Sequence, residues 1–182
     1  MIDNKENGEV RAIAEFLKII RPEIERMGYK IVDQKRLSYA NYCNKIDKAG
    51  NGIKDEKSKN VYVTDALIYR ELENGEAIPL VVVEGKIKDY TTHDVITYSE
   101  KSKAHKSVFP HLQYGFLVLD AREKEFKKRY YVHQQFDFEE IFPLNELDEE
   151  RRERIKRFVS QLKNQIETAE KKYALFFESR EE

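Results

Sequence analysis

Two carboxylates and a lysine, Asp65, Glu84 and Lys86, are of the residue types that metal-assisted chemistry requires. Both carboxylates have apolar neighbours, and two acidic groups brought together in such surroundings need either a cation or a raised pKa. A hard divalent cation is the simplest answer, and magnesium typically uses one or two carboxylates together with substrate phosphate oxygens. A lysine beside that ion could position or deprotonate a water molecule. The chemistry therefore depends on whether the fold brings the three residues together.

A β-hairpin predicted over residues 61–88 would bring them together. Two apolar, β-branched runs flank Asn74 and Gly75, a pair typical of a two-residue type I′ turn. With this turn, Asp65 lies directly opposite Glu84 across the ladder. Side chains alternate between the faces of a strand, so the lysine two positions after Glu84 points the same way. The hairpin thus predicts one polar site at the edge of an apolar core.

The order of these residues closely resembles the active-site motif of the PD-(D/E)xK nuclease superfamily, in which an Asp, a hairpin and Glu-x-Lys follow one another. Thr64 stands here where the motif has Pro, and the second half of the motif reads Glu84-Gly85-Lys86. The resemblance implies that Asp65, Glu84 and the backbone carbonyl of Gly85 bind Mg²⁺, for which Mn²⁺ would substitute. It also implies that Lys86 orients or activates the attacking water and offsets charge in the transition state.

A helix is predicted from Glu9 to Met27, because apolar residues recur there at spacings of three and four, after a polar segment 1–8 that is predicted to be disordered or to fray. Pro22 should kink or split this helix. The segment resembles the first helix and strand of the N-terminal nuclease domain of type I restriction subunits. This resemblance implies that Glu9 joins the metal site or supports it. The alternative is a glutamate that only complements the helix dipole, and Glu15 is a weaker candidate for the metal role.

A second helix is predicted to begin near Asp94, with Thr92 or Asp94 as its cap. In the superfamily, the helix after the motif often carries a Gln and then a Tyr. Tyr98 fits the Tyr, whereas His93 or Asp94 occupies the place of the Gln. His105 is predicted to share the positive outer surface of this helix, and a purely solvated face is the alternative. The candidate nucleic-acid contacts are Lys88, Tyr98, Lys101, Lys103 and Lys106.

Further strands are predicted at residues 29–37, 114–121 and 129–138, and a loop rich in Tyr, Asn, Gly and Lys at residues 38–60. Loop side chains could stack on bases or meet phosphates, although a solvated insertion is the simpler interpretation. These side chains are Tyr39, Tyr42, Lys45, Lys48, Lys54, Lys57 and Lys59.

The element order matches the αβββαβ core of the restriction-endonuclease-like fold, an α/β fold with a mixed central sheet flanked by helices. The chain is predicted to form a single nuclease-like domain over residues 1–182, with its core at about 9–138. A long C-terminal helix is predicted at about 148–178 from its four-three apolar spacing. It could pack across the domain or form a homodimer. Domain packing is favoured because Ala169 and Tyr173 are poor zipper residues.

Composition excludes several classes of protein. The net charge is −1, with 40% hydrophobic and 37% charged residues, so the chain has a core but no overall basic character. One cysteine, Cys43, excludes an internal disulfide, and no signal or membrane segment is evident. We therefore expect a cytoplasmic protein without a membrane partner. The four histidines lack zinc-site spacing, and phosphate-binding glycine loops and serine hydrolase motifs are absent.

The sequence as a whole predicts a Mg²⁺-dependent endonuclease that hydrolyses phosphodiester bonds of DNA, in restriction or another DNA-processing role. Three alternatives stay open. They are an RNA endonuclease on the same fold, a non-catalytic nucleic-acid-binding or assembly module, and a structural α/β domain whose long helix binds a partner.

Overall fold

The computed structural model describes residues 3–39, 46–48, 50, 61–121, 135–144 and 147–178, with side chains from residue 8 onward. The elements are α1 (Asp3–Arg26), β1 (Lys30–Ser38), β2 (Val61–Glu71), β3 (Ala77–Ile87), α2 (Thr92–Val108), β4 (Gln113–Ala121), β5 (Phe138–Pro143) and α3 (Asp148–Tyr173). A short π-helical segment, Ala174–Glu178, follows α3.

The five strands form one mixed sheet in the order β1-β2-β3-β4-β5. The first three strands are antiparallel neighbours, whereas β4 runs parallel to β3, and β5 runs parallel to β4. Helix α2 connects β3 to β4, as a crossover between parallel strands requires. The prediction of an α/β fold with a mixed sheet and a long C-terminal helix is confirmed.

Helices α1 and α3 cover one face of the sheet and share a single core with it. Ile13, Leu17 and Ile20 of α1 pack in the same buried cluster as Phe158 and Leu162 of α3. The apolar repeat of α3 therefore packs within the domain. Among the described residues, no helix has the length and apolar character needed to cross a membrane.

Helix α2 covers the opposite face of the sheet with two smaller apolar clusters. Val108 at its end packs with Leu67, Val82 and Tyr114, and Val95 near its start packs with Phe116. Side chains alternate between the two faces of a strand, so Asp65 points to the same face as Leu67, and Glu84 and Lys86 point to the same face as Val82. All three polar residues therefore lie on the face that α2 covers. The structure thus places the predicted polar residues on one face, at the margin of a core.

The hairpin turn differs from the prediction. Leu72 N donates to Glu76 O at 2.8 Å and Gly75 N donates to Leu72 O at 2.9 Å, so the loop has three residues instead of two. Gly75 has φ 79°, the left-handed conformation that such loops place at their last residue. The predicted type I′ turn is therefore wrong.

The pairing near the proposed site is nevertheless the predicted one, with Ala66 opposite Val83. The ladder shifts between Ile68 and Tyr69, where β3 contains one unpaired residue, Leu80. This β-bulge offsets the extra residue in the turn. The longer turn and the bulge therefore compensate each other, and the strands are back in the predicted register before they reach Asp65 and Glu84.

Helix α1 starts earlier than predicted and is not split at Pro22, one of the two predicted effects of this proline. It begins at Asp3 instead of Glu9, so residues 3–8 are helical, and it continues through Pro22 without ending. Pro22 is exposed, whereas Ile20 and Ile24 on either side of it are buried in the core. We infer that burial of the neighbours offsets the one helical hydrogen bond that proline removes.

Two other segments are only partly described. Within the predicted loop 38–60, Ile46 is buried and forms a β-bridge with Ala77, so the chain returns to the sheet there. Tyr39 stacks on Tyr62 with ring centroids 4.1 Å apart. The strand predicted at 129–138 lies mostly outside the described residues and overlaps β5 only at Phe138. Of the loop side chains named above, Tyr42, Lys45, Lys54, Lys57 and Lys59 also lie outside the described residues.

Candidate functional site

A cleft of about 420 Å³ opens between the start of α1, the edge of the sheet and α2. Asp65 of β2 and Lys86 of β3 line it, together with Glu9 of α1 and Tyr98 of α2. Glu84 lies behind the cleft wall and is only 1% exposed. The structure therefore brings the three motif residues and Glu9 to one place.

Both oxygens of the Asp65 carboxylate accept hydrogen bonds. The backbone N–H of Gly85 donates to Oδ2 at 2.8 Å, and the side-chain amide of Gln34 donates to Oδ1 at 3.3 Å. Because Gly85 lies on the neighbouring strand, this bond fixes Asp65 relative to the Glu-Gly-Lys segment. The carboxylate is half-buried and faces the cleft.

Glu84 has a protonation state governed by its burial. Burial and the charge of Asp65 raise the pKa of Glu84 to about 8, although the charge of Lys101 and a hydrogen bond from Tyr114 lower it. The Tyr114 hydroxyl donates to Oε1 at 2.8 Å, and Lys101 Nζ lies 3.7 Å from Oε2. At neutral pH the acidic pair of this structure is therefore accommodated by a proton on Glu84.

Lys86 is held by two further carboxylates. Its ammonium lies 3.3 Å from Glu9 Oε2 and 3.5 Å from Asp94 Oδ1. Burial lowers the pKa of Lys86, but the charges of Glu9 and Asp94 outweigh it and leave the pKa raised. Lys86 is thus a fixed cation in this structure, which suits holding a water or an anionic oxygen better than removing a proton.

Glu9 contacts the motif segment directly. Besides the ion pair with Lys86, its Oε1 accepts a hydrogen bond from the backbone N–H of Ile87 at 3.3 Å. Since α1 begins at Asp3, Glu9 lies in the second helical turn, where a contribution to the helix dipole is weak. Glu15, the weaker candidate, is exposed and pairs with Lys18 at 2.7 Å.

Lys101 points inward from α2 instead of outward to solvent. Besides Glu84, it contacts the faces of two aromatic rings, Tyr98 at 5.0 Å and Tyr62 at 5.6 Å from the ring centroids. Tyr98 also lies 5.8 Å from the Lys86 ammonium. Both Lys101 and Tyr98 are therefore part of the internal site, and their contacts with nucleic acid stay a prediction.

The other predicted nucleic-acid contacts lie in different settings. Lys88 and Lys103 are exposed, whereas Lys106 pairs with Asp137 at 2.7 Å. His105 is fully buried, with its Nε2 3.3 Å from the carbonyl oxygen of Leu37, so its predicted place on the outer surface is wrong. Its position on α2 directs the side chain toward β1, so this contact links the helix to the sheet.

The cap of α2 also differs from the prediction, because Thr91 occupies the N-cap position. Its backbone N–H donates to Asp94 Oδ2 at 2.7 Å, and Asp94 N donates back to the Thr91 hydroxyl at 3.2 Å. This capping box holds one oxygen of Asp94 and leaves the other near Lys86. One local motif therefore both starts the helix and orients a site residue.

Three residues that contact the motif were not predicted as site residues. Gln34 and Tyr114 had no predicted role, and Asp94 was considered only as a helix cap or as the residue in the place of the superfamily's Gln. Asp94 could have been found, because Asp94, Tyr98 and Lys101 follow four-three helical spacing. Tyr114 begins an apolar run that predicts a buried strand and gives no sign of a contact with Glu84. Gln34 carries no local signal, because its contact with Asp65 depends on its backbone conformation.

The donor set fits a hard cation better than a soft one. Asp65, Glu84 and the Gly85 carbonyl offer only oxygen, and magnesium needs no more than one or two carboxylates because it retains several waters. Within the described ranges, no group of three or more His, Cys, Asp or Glu side chains is arranged to hold a metal ion. Glu9 is engaged with Lys86, so the fit rests on the acidic pair.

No model of a known protein family matches the chain, and no curated protein matches it at a significant level.

Proposed function

We propose that the protein is a Mg²⁺-dependent endonuclease that hydrolyses phosphodiester bonds of DNA, on a restriction-endonuclease-like version of the α/β fold. The observation that carries the proposal is the convergence of Asp65, Glu84 and Lys86 at one cleft. One hairpin brings together a half-buried carboxylate, a buried carboxyl and a fixed ammonium. Titratable groups whose pKa values are shifted by burial and by neighbouring charges cluster at functional sites.

The residues have distinct roles in this proposal. Asp65, Glu84 and the Gly85 carbonyl would hold the cation, which when bound supplies Lewis-acid stabilisation to a non-bridging phosphate oxygen. Lys86 orients the attacking water and places positive charge where the phosphorane-like transition state accumulates negative charge. Glu9 and Asp94 hold the Lys86 ammonium in position, which is the support that a preorganised site needs.

Binding of the ion requires Glu84 to lose its proton. Lys101 and the Tyr114 hydroxyl remain to stabilise the carboxylate that results. The exposed lysines Lys88 and Lys103 are available for contacts with the phosphate backbone.

The test is a cleavage assay on plasmid DNA, single-stranded DNA and RNA, with Mg²⁺ or Mn²⁺ compared with EDTA. We expect metal-dependent cutting of DNA by the wild type, and its loss in Asp65→Asn, Glu84→Gln and Lys86→Ala. Lys163→Ala, at an exposed lysine of α3, is the matched control and should cut normally. Full activity in a motif variant would remove that residue from its role, and cutting of RNA alone would identify the RNA endonuclease instead.

A non-catalytic nucleic-acid-binding module is the second candidate, because one specific observation favours it. Glu84 is already compensated by its proton and by Lys101, so the site does not need an ion for its stability. This candidate predicts that nucleic acid binds in a mobility-shift assay, that nothing is cut, and that Mg²⁺ does not change the melting temperature. Metal-dependent cutting would exclude it.

A further inference from the structure

The backbone of Gln34 adopts an unusual conformation in the middle of strand β1. Its φ is 48°, in the left-handed region that non-glycine residues rarely enter because Cβ approaches the carbonyl oxygen. Gln34 lies opposite Asp65, at the one position where the β1–β2 pairing is interrupted. Strained residues of this kind persist only where surrounding structure holds them, and they concentrate at functional sites.

The strands on both sides of Gln34 hold it in this conformation. The ladder pairs Asp33 with Ala66 before it and Lys35 with Thr64 after it. The Thr64 hydroxyl, which is fully buried, donates to the Lys35 carbonyl oxygen at 3.0 Å. Thr64 occupies the place of the motif's proline, and this bond gives the threonine a structural use, since it anchors the peptide directly after Gln34.

The consequence of the strain is that the Gln34 side chain joins the cleft. Its amide nitrogen lies 3.3 Å from Asp65 Oδ1, and Gln34 lines the same cleft as Asp65 and Lys86. The Gly85 N–H holds the other oxygen of Asp65. The carboxylate therefore accepts one hydrogen bond from the strand on each side of it.

We propose that Gln34 is a positioning residue that orients the Asp65 carboxylate toward the bound cation. The inference rests on the proposed function, because it assigns Gln34 to the support of that same site. Groups that hydrogen-bond to a metal ligand fix its orientation, and their removal typically lowers metal affinity about 10- to 100-fold. The strained backbone is the feature that brings the amide within reach of Asp65.

Three substitutions separate the amide from the strain. Gln34→Ala removes the amide and keeps a Cβ in the left-handed conformation. Gln34→Gly removes the amide and relieves the conformation, because glycine has no Cβ. Gln34→Asn keeps an amide on a residue that tolerates this conformation, and we expect its side chain, one methylene shorter, to lose the hydrogen bond to Asp65. Asp65→Ala in the full-length chain is the reference for loss of the site.

The measurements are Mn²⁺ and Mg²⁺ binding by calorimetry, and the melting temperature in EDTA. We expect the dissociation constant for the ion to rise roughly tenfold in all three variants. In EDTA, Gln34→Gly should melt at or above the wild type, and Gln34→Ala should melt below Gln34→Gly. Weaker metal binding in a variant that is at least as stable as the wild type is a result that a structural role alone does not produce.

Two results would overturn the inference, and they differ. If the three variants bind metal as tightly as the wild type while Asp65→Ala does not, Gln34 has no positioning role and the proposed metal site stands. If the wild type binds no metal, or Asp65→Ala binds it normally, both the inference and the proposed metal site fail.

Discussion

Gly85 allows α1 to lie directly against the strand that carries the proposed catalytic residues. A Cβ at this position would lie 2.3 Å from Ile13 Cδ1 and 2.9 Å from Ile13 Cγ1. Ile13 is buried in the core, and its Cδ1 and Cγ1 atoms would have to move to admit a methyl group at position 85. The glycine between Glu84 and Lys86 is therefore explained by packing of the opposite face of the sheet.

We predict that Gly85→Ala destabilises the protein by roughly 1–3 kcal/mol, the usual effect of extra volume in a packed core. The displaced helix should also move Glu9 away from Lys86. Urea denaturation measures the stability. Gly8→Ala is the matched control on α1, because a Cβ there meets nothing within 4 Å, and it should be neutral or stabilising. Equal stability of Gly85→Ala and the wild type would contradict the packing argument.

The raised pKa of Glu84 predicts that stability depends on pH. Its folded pKa is about 8 and its reference value is 4.5, so between these values the folded state binds more protons than the unfolded state. Stability should therefore fall as pH rises from about 4.5 to 8, by an amount on the order of 5 kcal/mol at most.

The measurement is urea denaturation in EDTA at pH 5 and pH 9, for the wild type and for Glu84→Gln. The amide does not titrate, so the variant should gain stability relative to the wild type as pH rises. The same pH dependence in both proteins would show that Glu84 titrates normally in the folded state.

At the scale of elements, α2 presents a polar stripe to the site. Asp94, Tyr98, Lys101 and His105 follow each other at four-three-four spacing and all turn toward the sheet. This spacing is present in the sequence, so the inward direction of Lys101 and His105 could have been predicted. It was obscured because a run of lysines and a histidine on a helix usually marks a solvated face.

Lys101 should stabilise the protein through the charge of Glu84. We predict that Lys101→Met costs about 2 kcal/mol at pH 9, where a buried carboxylate loses its cation. The cost should be no more than about 1 kcal/mol at pH 5, where Glu84 is protonated and only the cation–π contacts are lost.

Denaturation curves at both pH values measure the difference between the two losses of stability. Lys103→Met, at an exposed lysine of the same helix, is the control and should change stability by less than about 0.5 kcal/mol. Equal losses for Lys101→Met at the two pH values would contradict the charge argument.

The hairpin shows how a local error can leave a site prediction intact. The Asn-Gly signal indicated a two-residue turn, and the structure has a three-residue loop with a bulge at Leu80. Pro79 lies beside this bulge, and proline inside a strand is largely confined to edges and bulges. The sequence therefore contained the information for the correction, although neither the turn nor the proline alone determines the register.

For the molecule as a whole, periodicity predicted most elements, because each long segment buries one face. The spacing of Ile13, Leu17 and Ile20 gave α1, and that of Leu162 and Ile166 gave α3. Contacts between distant segments could not be predicted in this way. Tyr114 reaches Glu84 only because β4 lies beside β3, and Gln34 reaches Asp65 only through its left-handed backbone. Local patterns specify neither strand order nor backbone strain.

Two buried histidines join separate elements of the fold to the sheet. His105 of α2 binds the Leu37 carbonyl of β1, and His111 binds the Pro79 carbonyl of β3 through Nε2 at 2.8 Å. His111 also packs edge-on against Tyr173 at the end of α3, with centroids 5.0 Å apart. Burial lowers the pKa of each histidine to about 4. Both are therefore neutral in the folded protein at neutral pH.

This predicts loss of stability in mild acid. Between pH 6.5 and 4 the unfolded chain binds protons that the folded protein excludes, so each histidine should cost roughly 2 kcal/mol between pH 7 and pH 5. His111→Gln keeps a donor for the Pro79 carbonyl and does not titrate, so between pH 7 and pH 5 this variant should lose about 2 kcal/mol less stability than the wild type.

His93→Gln, at an exposed histidine of α2, is the control and should follow the wild type. Urea denaturation at the two pH values compares the three proteins, and the difference between variants removes the opposing contribution of Glu84. If His111→Gln followed the wild type as well, His111 would accept a proton in the folded state, and acid would leave the junction of α3 with the sheet intact.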